Sequence, residues 1–233
     1  MIPLQFALRR RMMMAGHGGA PISDLPLGAL INVGTDGGAG APNYEIADKD
    51  NLVSGGVVLV RKNIYSSSKF GEYSFYANST LDNLVKTTIY NRMPQKLRNK
   101  MMDVTFALAG SESVTRKMFV PTLTMMSGRA NHTYEGKVAL EGVGLQLYTN
   151  NNASRIRTKN GYGEEWWLSS QYSTGGSTSG YHGGVKYVDY LGDITVYGNS
   201  SNNSDGVAPA FVIPSDTPYN ATPNTDGSYN LIL

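Results

Sequence analysis

The side chains that could do acid–base, nucleophilic or metal chemistry are few and widely spaced in this sequence. Its 233 residues include three histidines and no cysteine, which excludes thiolate nucleophiles, thiolate metal ligands and disulfides. The histidines are His17, His132 and His182, and none has a partner at metal-ligand spacing. Spacing alone leaves a histidine base open, but we expect no catalytic residue, metal or cofactor and predict that the protein is not an enzyme.

Two adjacent carboxylates, Glu164 and Glu165, could resemble an acid–base pair. Neighbouring side chains on a strand point to opposite faces, whereas the two carboxyl groups of a glycosidase must flank one bond. We therefore interpret both glutamates as solvated charges.

The tyrosines of the last third of the chain are the strongest indication of function. They are interleaved with Ser, Gly and Asn, the mixture that antibody combining sites use, because Tyr gives a rigid amphipathic contact area while the small polar residues adapt. Aromatic faces also stack on sugar rings. The alternative is that these tyrosines only pack within strands between mobile loops. The candidate ligand-binding residues are Trp166, Tyr172, Tyr181, His182, Tyr187, Tyr190 and Tyr197.

Composition limits the classes of protein to which the chain can belong. Charged residues make up 16% and hydrophobic residues 40%, with 27 glycines, which is typical of a globular, loop-rich protein. A net charge of +2 is too small to indicate a nucleic-acid partner for the whole chain. No apolar run approaches the roughly 20 residues that span a bilayer, so we expect no membrane insertion.

The first 20 residues predict an attachment segment. An apolar repeat at four-residue spacing predicts a short helix over residues 3–15, and the glycine-rich residues 16–21 then predict a flexible joint. Apolar residues precede the positive cluster, the reverse of a secretory signal, so we expect the segment to be retained. Packing on its own domain and binding a membrane surface are alternatives to docking on a neighbouring subunit. The candidate anchor residues are Leu4, Phe6, Leu8, Arg9, Arg10, Arg11 and Met12.

Residues 21–233 are predicted to form one domain with helices first and a sheet second. The clearest helix is Ser79–Met93, because Ser79 and Asp82 resemble a capping box. Pro94 should end it, and a second helix with Leu97 and Met101 facing inward should follow. Predicted strands are Leu27–Val33, Val57–Arg61, Val104–Leu108, Met118–Val120, Trp166–Ser169, Val185–Tyr190, Ile194–Tyr197 and Val207–Ile213.

Two details of the last third follow from local chemistry. The residues 191–193, Leu-Gly-Asp, predict a hairpin turn. Pro209 cannot donate to a ladder, so its strand should be an edge or should bulge there.

The segments Trp166–Ser170 and Gly206–Phe211 resemble an uncharacterised bacterial and phage family with a C-type-lectin-like fold. Its members typically carry a paired-Trp motif, a hairpin with a central Gly and a closing Gly-Val-Arg-Pro-Ala strand. Tyr76–Leu81 and Lys117–Pro121 resemble two further segments of that family, and the resemblance spans roughly residues 25–215. Ser169 and Ala208 stand where the family usually has Arg. These two departures put any role of those arginines in doubt here.

The resemblance implies an α+β, C-type-lectin-like domain with two helices and short antiparallel strands, preceded by a short N-terminal helix. Adjacent side chains on a strand face opposite ways, so only one ring of Trp166 and Trp167 should enter the main core unless the strand bulges. The other ring should lie on the second face, packed under a loop or lining a surface. The Glu-Pro-Asn or Gln-Pro-Asp loop of Ca²⁺-dependent lectins is absent, and Asn202–Gly206 offers oxygen ligands but is typical of a plain turn. Enzymes with this fold that use a cysteine are excluded.

The function predicted from these features is that of a phage virion protein on the tail or capsid surface. It would attach to other virion proteins through residues 1–20 and present the domain to a bacterial surface glycan or protein. The alternative is a capsid or tail decoration subunit whose domain makes mainly structural contacts. In either case we expect a homo-oligomer.

Overall fold

Strands dominate this protein. The computed structural model describes residues 19–109, 111–173, 183–195 and 197–233, with backbone alone at 111 and 112. The predicted helix over residues 3–15 and all the anchor residues lie outside these ranges. In chain order the strands are β1 (Ala20–Pro21), β2 (Leu30–Asn32), β3 (Asn43–Lys49), β4 (Gly56–Arg61), β5 (Ser67–Lys69), β6 (Val104–Leu108), β7 (Ser111–Arg116), β8 (Met118–Phe119), β9 (Asn131–His132), β10 (Val138–Ala139), β11 (Arg157–Lys159), β12 (Tyr162–Glu164), β13 (Trp166–Ser173), β14 (Gly184–Val188), β15 (Asn199–Ser200), β16 (Ser204–Gly206), β17 (Ala210–Pro214), β18 (Pro218–Tyr219) and β19 (Tyr229–Asn230).

Two larger sheets organise the strands. The first has six strands in the order β19-β2-β3-β4-β17-β8, and the second has five in the order β15-β14-β13-β16-β5. β4 and β17 are the apolar centre of the first sheet and are buried almost throughout, as expected for strands covered on both faces. The remaining described strands form the pairs β1-β18, β6-β7, β9-β10 and β11-β12.

Among the described residues, one helix is longer than two turns. Its parts are α1 (Thr80–Asn83), a π-helical stretch (Leu84–Ile89) and α2 (Tyr90–Arg92). The hydroxyl of Ser79 accepts from the Asp82 amide at 3.0 Å, and the Asp82 carboxylate accepts from the Asn78 amide at 2.8 Å, so the predicted helix start is confirmed. The other helical turns are α3 (Gln95–Arg98), α4 (Leu123–Ser127), α5 (Asn152–Arg155) and a 3₁₀ turn (Ile22–Asp24).

The predicted α+β, C-type-lectin-like class with two helices is wrong. Of the residues that the structure describes, 36% lie in strands and 14% in helices. The second predicted helix is the short turn α3, because Pro94 and the strand that begins at Val104 leave too little chain for more. Leu97 and Met101 do face inward, so the periodicity was right and only the length was wrong.

Other predictions for the strands have mixed outcomes. The hairpin turn at 191–193 is confirmed, since Gly192 donates to the Asp189 carbonyl at 3.0 Å and Val188 bridges Ile194. The predicted strand Ile194–Tyr197 is not a strand in the residues that the structure describes, where only Ile194 pairs, as an isolated bridge with Val188. Pro209 does not mark an edge: it immediately precedes β17, which lies between β4 and β8, where its missing N–H is not needed.

Trp166 and Trp167 are both fully buried, so the second ring is covered and does not line a surface. The rings do leave opposite faces of β13, but both faces are covered. The Trp166 indole donates to the Arg155 carbonyl at 3.0 Å, and the Trp167 indole donates to the Ser68 carbonyl at 2.8 Å. β13 is therefore fixed from both sides.

A buried ion pair connects the sheets. The Arg157 guanidinium lies 2.6 Å from the Glu45 carboxylate in β3, and the Tyr148 hydroxyl donates to the same carboxylate at 2.7 Å. The guanidinium also lies 5.4 Å from the centre of the Trp166 ring. Burial alone would lower the pKa of Arg157, but Glu45 and Tyr148 outweigh it and raise that pKa. Arg157 is thus fully charged in the core.

We predict that Glu45→Gln destabilises the fold by about 3–5 kcal/mol, because it leaves the buried Arg157 charge unpaired. Urea unfolding followed by tryptophan fluorescence measures the change. Lys62 offers a matched control, since it pairs with the same carboxylate at 3.1 Å from a partly exposed position. Lys62→Met should cost less than about 1 kcal/mol. Equal losses for the two variants would contradict the role assigned to Arg157.

Candidate functional site

β13 carries a different surface at each of its two ends. Its eight residues pair with β14 on one side and with β16 on the other. At about 3.3 Å per residue the ends lie roughly 20 Å apart. Aromatic side chains collect at the end that finishes with Ser173, and carboxylates collect at the end that begins with Trp166.

Three tyrosines form a row at the Ser173 end, and we name Tyr134, Tyr172 and Tyr197 the tyrosine row. The ring centres of Tyr134 and Tyr172 lie 6.2 Å apart, as do those of Tyr172 and Tyr197, and both contacts are edge-on. Such contacts hold aromatic rings in place. Yet Tyr134 is 76% exposed and Tyr197 74% exposed, so the outer rings remain open to a ligand.

The row is assembled from three separate chain segments. Tyr134 lies in the turn between β9 and β10, and its amide donates to the Tyr172 carbonyl at 2.6 Å. Tyr197 comes just before β15. Gly198 permits this approach, because a Cβ atom there would lie only 2.7 Å from the Cβ atom of Tyr172. The middle ring therefore anchors the two outer ones.

A buried lysine supports the middle ring. Lys186 Nζ lies 4.4 Å from the centre of the Tyr172 ring, within the range of a cation–π contact. Burial lowers the pKa of Lys186 to about 8, and the charge of Glu141 opposes that shift. Glu141 is itself buried and accepts from the Asn131 amide group at 3.0 Å. These contacts tie the row to the polar interior.

Exposed apolar side chains flank the tyrosine row. Val138 is 57% exposed and Leu140 is 65% exposed, both on the chain that returns from the Tyr134 turn. On another side, the Ser74 hydroxyl donates to the Ser173 carbonyl at 2.6 Å, which brings its exposed aromatic neighbours Tyr73 and Phe75 to the same end of β13. Several exposed apolar side chains at one end of a strand are typical of a binding face.

The other end of β13 opens into a cavity that we name the acidic cleft. Its volume is about 360 Å³. Burial raises the pKa of Asp205 to about 6, and the charge of Glu165 adds to this rise while the Asn199 side chain opposes it. Burial also raises the pKa of Glu165, with Asp189 and Glu164 contributing. The cleft is lined by Ser67, Gly163, Glu164, Glu165, Tyr190, Ser204, Asp205 and Gly206.

The interpretation of Glu164 and Glu165 as independent solvated charges is only half right. Glu164 is exposed and Glu165 is partly buried, yet both line the acidic cleft. The strand argument fails here because β12 ends at Glu164 and Glu165 lies between two strands. Asp205 joins them from β16, and its position about 40 residues further on gave no signal in the sequence.

The candidate ligand-binding residues separate into three groups. Tyr172 and Tyr197 meet in the tyrosine row, whereas Tyr190 lines the acidic cleft and Tyr187 is partly buried beside it. The fully buried Trp166 cannot stack on a ligand, which corrects that prediction. Tyr181 and His182 lie outside the described residues. Tyr134 was missed, because nothing in its local sequence links it to residues 38 and 63 positions later.

Within the described ranges, no group of three or more His, Asp or Glu side chains could hold a metal ion. No helix in those ranges is long and apolar enough to cross a membrane. His132 is exposed.

Comparison with protein families places both surfaces inside one recognised domain. The model of the family described as Domain of unknown function (DUF6273) matches residues 54–215. That span covers more than half of the chain, so the chain belongs to this family. No curated protein and no solved structure shows a significant match to it.

The raised pKa of Asp205 predicts how stability changes with pH. In the folded chain that pKa is about 6, against an ordinary value of 3.8, so the folded state holds this proton more tightly than the unfolded state. Stability should therefore fall as the pH rises from about 4 to about 6. Asp205→Asn, which removes the buried charge, should stabilise the protein at pH 7 by on the order of 1 kcal/mol and have little effect at pH 4.

Urea midpoints measured from pH 4 to pH 7 test this expectation. Asp216→Asn removes an exposed carboxylate and should leave the midpoint unchanged at every pH. A stability profile of Asp205→Asn parallel to that of the wild type would show that Asp205 has an ordinary pKa.

Proposed function

We propose that this member of the family is a non-enzymatic binding protein that attaches to a bacterial surface glycan through the tyrosine row. The exposure of two tyrosine rings, each held edge-on against a third, is the observation that carries the proposal. Three rings fixed in this way offer apolar faces without a large loss of side-chain entropy on binding.

The surroundings of the row favour a sugar over a small apolar ligand. Phenolic hydroxyls lie beside the rings and can donate to or accept from sugar hydroxyls. Rings supply stacking surfaces and hydroxyls supply hydrogen bonds, and both are what a carbohydrate chain requires.

Placement on a phage tail or capsid is part of the same proposal and derives from the resemblance described for the sequence. Ala20 pairs with Tyr219 and Pro21 pairs with Pro218, so the domain includes these two residues. Residues 1–18 therefore precede a strand pair that contains no member of the tyrosine row. An attachment there would leave the row accessible.

A decoration subunit remains the second candidate, and the exposed Val138 and Leu140 favour it. These side chains continue the apolar surface beyond Tyr134 and could pack against a neighbouring subunit. In that case the tyrosine row would be buried in the particle and would not select a glycan.

We predict that Tyr197→Ala and Tyr134→Ala each weaken binding to immobilised bacterial capsular and cell-wall polysaccharides about tenfold, or about 1.4 kcal/mol. Loss of one stacking ring is the physical reason. Biolayer interferometry on the purified chain measures the affinity, and a reducing-sugar assay on the same polysaccharides should show no hydrolysis.

Tyr162→Ala is the matched control, since Tyr162 is 78% exposed and makes no ring contact among the described residues. It should bind like the wild type. Equal weakening by all three variants, or no polysaccharide bound by the wild type, would refute the glycan proposal. Virions destabilised by Leu140→Ser with host attachment unchanged would favour the decoration subunit.

We predict that a chain lacking residues 1–18 folds with an unchanged melting temperature and keeps its polysaccharide affinity, but is not incorporated into virions. The cut leaves the β1-β18 pair intact. Immunogold labelling of particles produced with each chain measures incorporation. Labelling of equal density for the two chains would rule out attachment through this segment.

A further inference from the structure

Positive charge is concentrated in one stretch of the chain, residues 84–102. It contains five Lys or Arg residues and no Asp or Glu, although the whole chain carries a net charge of only +2. The rest of the chain is therefore net negative. One of the five cations, Lys86, is paired with Asp82 at 3.1 Å. The other four are Arg92, Lys96, Arg98 and Lys100.

Three of the four remaining cations have no acidic partner among the described residues. Arg92 donates to a tyrosine hydroxyl at 2.7 Å and Arg98 to an asparagine amide oxygen at 3.2 Å. Lys100 makes no side-chain hydrogen bond or ion pair with any residue that the structure describes. Lys96 donates to the main-chain oxygen of the last residue, Leu233, at 3.1 Å. The charges of Arg92, Arg98 and Lys100 are thus uncompensated within the described chain.

Helical geometry brings two of these charges, Lys96 and Lys100, to one exposed face, and Arg92 and Arg98 lie in the same stretch of chain. Main-chain hydrogen bonds extend the α3 turn to Met101. Leu97 and Met101 are four residues apart and buried, while Lys96 and Lys100, also four apart, are exposed. Residues at this spacing are neighbours on a helix surface. The exposed amides of the same corner are Asn91, Gln95 and Asn99.

We propose that this surface, the basic face, binds a phosphodiester-linked polyanion. The basic face consists of Arg92, Lys96, Arg98 and Lys100 with the three amides. Lysine binds phosphate as a point charge, and arginine and amide groups donate hydrogen bonds to its oxygens. A polymer contacts several cations at once, so each weak contact adds to the next.

The side chains around these cations favour a phosphodiester polymer over two other anionic partners, a membrane surface and single-stranded nucleic acid. A membrane surface requires apolar residues that insert between headgroups, and the apolar residues here, Leu97 and Met101, are buried in the core. Single-stranded nucleic acid requires exposed aromatic rings for base stacking. Of the two rings that contact these cations, Tyr65 is buried. Tyr90 is partly buried and lies 5.5 Å from the Arg98 guanidinium carbon, so its face already packs against a cation.

The test is binding of the full chain to immobilised poly(glycerol phosphate) over a series of salt concentrations. We expect measurable binding at low salt, with a slope of log affinity against log salt of about −2 for three phosphate contacts. Lys96→Glu with Lys100→Glu should weaken binding at least tenfold. Melting temperature should change little, because both side chains are exposed and Lys100 makes no hydrogen bond or ion pair with a described residue.

Arg129→Glu with Lys137→Glu is the control, since it alters net charge equally at exposed positions outside the basic face. It should lower affinity no more than twofold. Tyr197→Ala should bind this polymer normally, which separates the basic face from the tyrosine row. Equal losses for the two double variants, absence of binding at low salt, or tighter binding to single-stranded DNA or anionic vesicles than to the polymer would each overturn the proposal.

Discussion

A buried guanidinium joins the main parts of this protein. Arg157 contacts Glu45 in the six-stranded sheet at 2.6 Å and lies over Trp166 of the five-stranded sheet. An ion taken out of water costs several kcal/mol unless a partner compensates it, so neither sheet can move without exposing a charge to an apolar interior. The start of β13 is fixed by this requirement, and β13 in turn fixes both of the surfaces at its ends.

A second buried pair holds a segment that has little apolar character of its own. Asp36 lies in the glycine-rich loop between β2 and β3, and its carboxylate lies 2.6 Å from Arg61 Nε and accepts from the Tyr44 hydroxyl at 3.1 Å. Gly38 is needed beside it, because a Cβ atom there would lie 2.4 Å from the Tyr65 ring. The Asp36–Arg61 ion pair and the close approach of the Gly38 backbone to Tyr65 therefore order this loop, which has too few apolar side chains to be held by hydrophobic packing.

These buried charges explain where sequence reasoning succeeded and failed. The helix that begins after Ser79 could be predicted because its cap and its apolar face are local. β3 could not, because it buries Glu45 and Asp48 and so lacks the alternation of a half-exposed strand. β5, with the sequence Ser-Ser-Lys, has no strand character and exists only because β16 pairs with it. Many such short, non-local pairs turned an expected α+β domain into a mainly β one.

The same distinction between local and distant partners applies to the sites. A tyrosine-rich composition was enough to select Tyr172 and Tyr197, because the amino-acid composition of a segment does not depend on how the chain folds. It could not select Tyr134, whose place in the tyrosine row depends on a hairpin packed against the end of β13. Nor could it reject Trp166, because burial of both faces of β13 is a tertiary property. The tryptophans and Arg157 pack against the start of β13, and nearly all of its residues are buried. The surfaces left for binding therefore lie beyond its two ends.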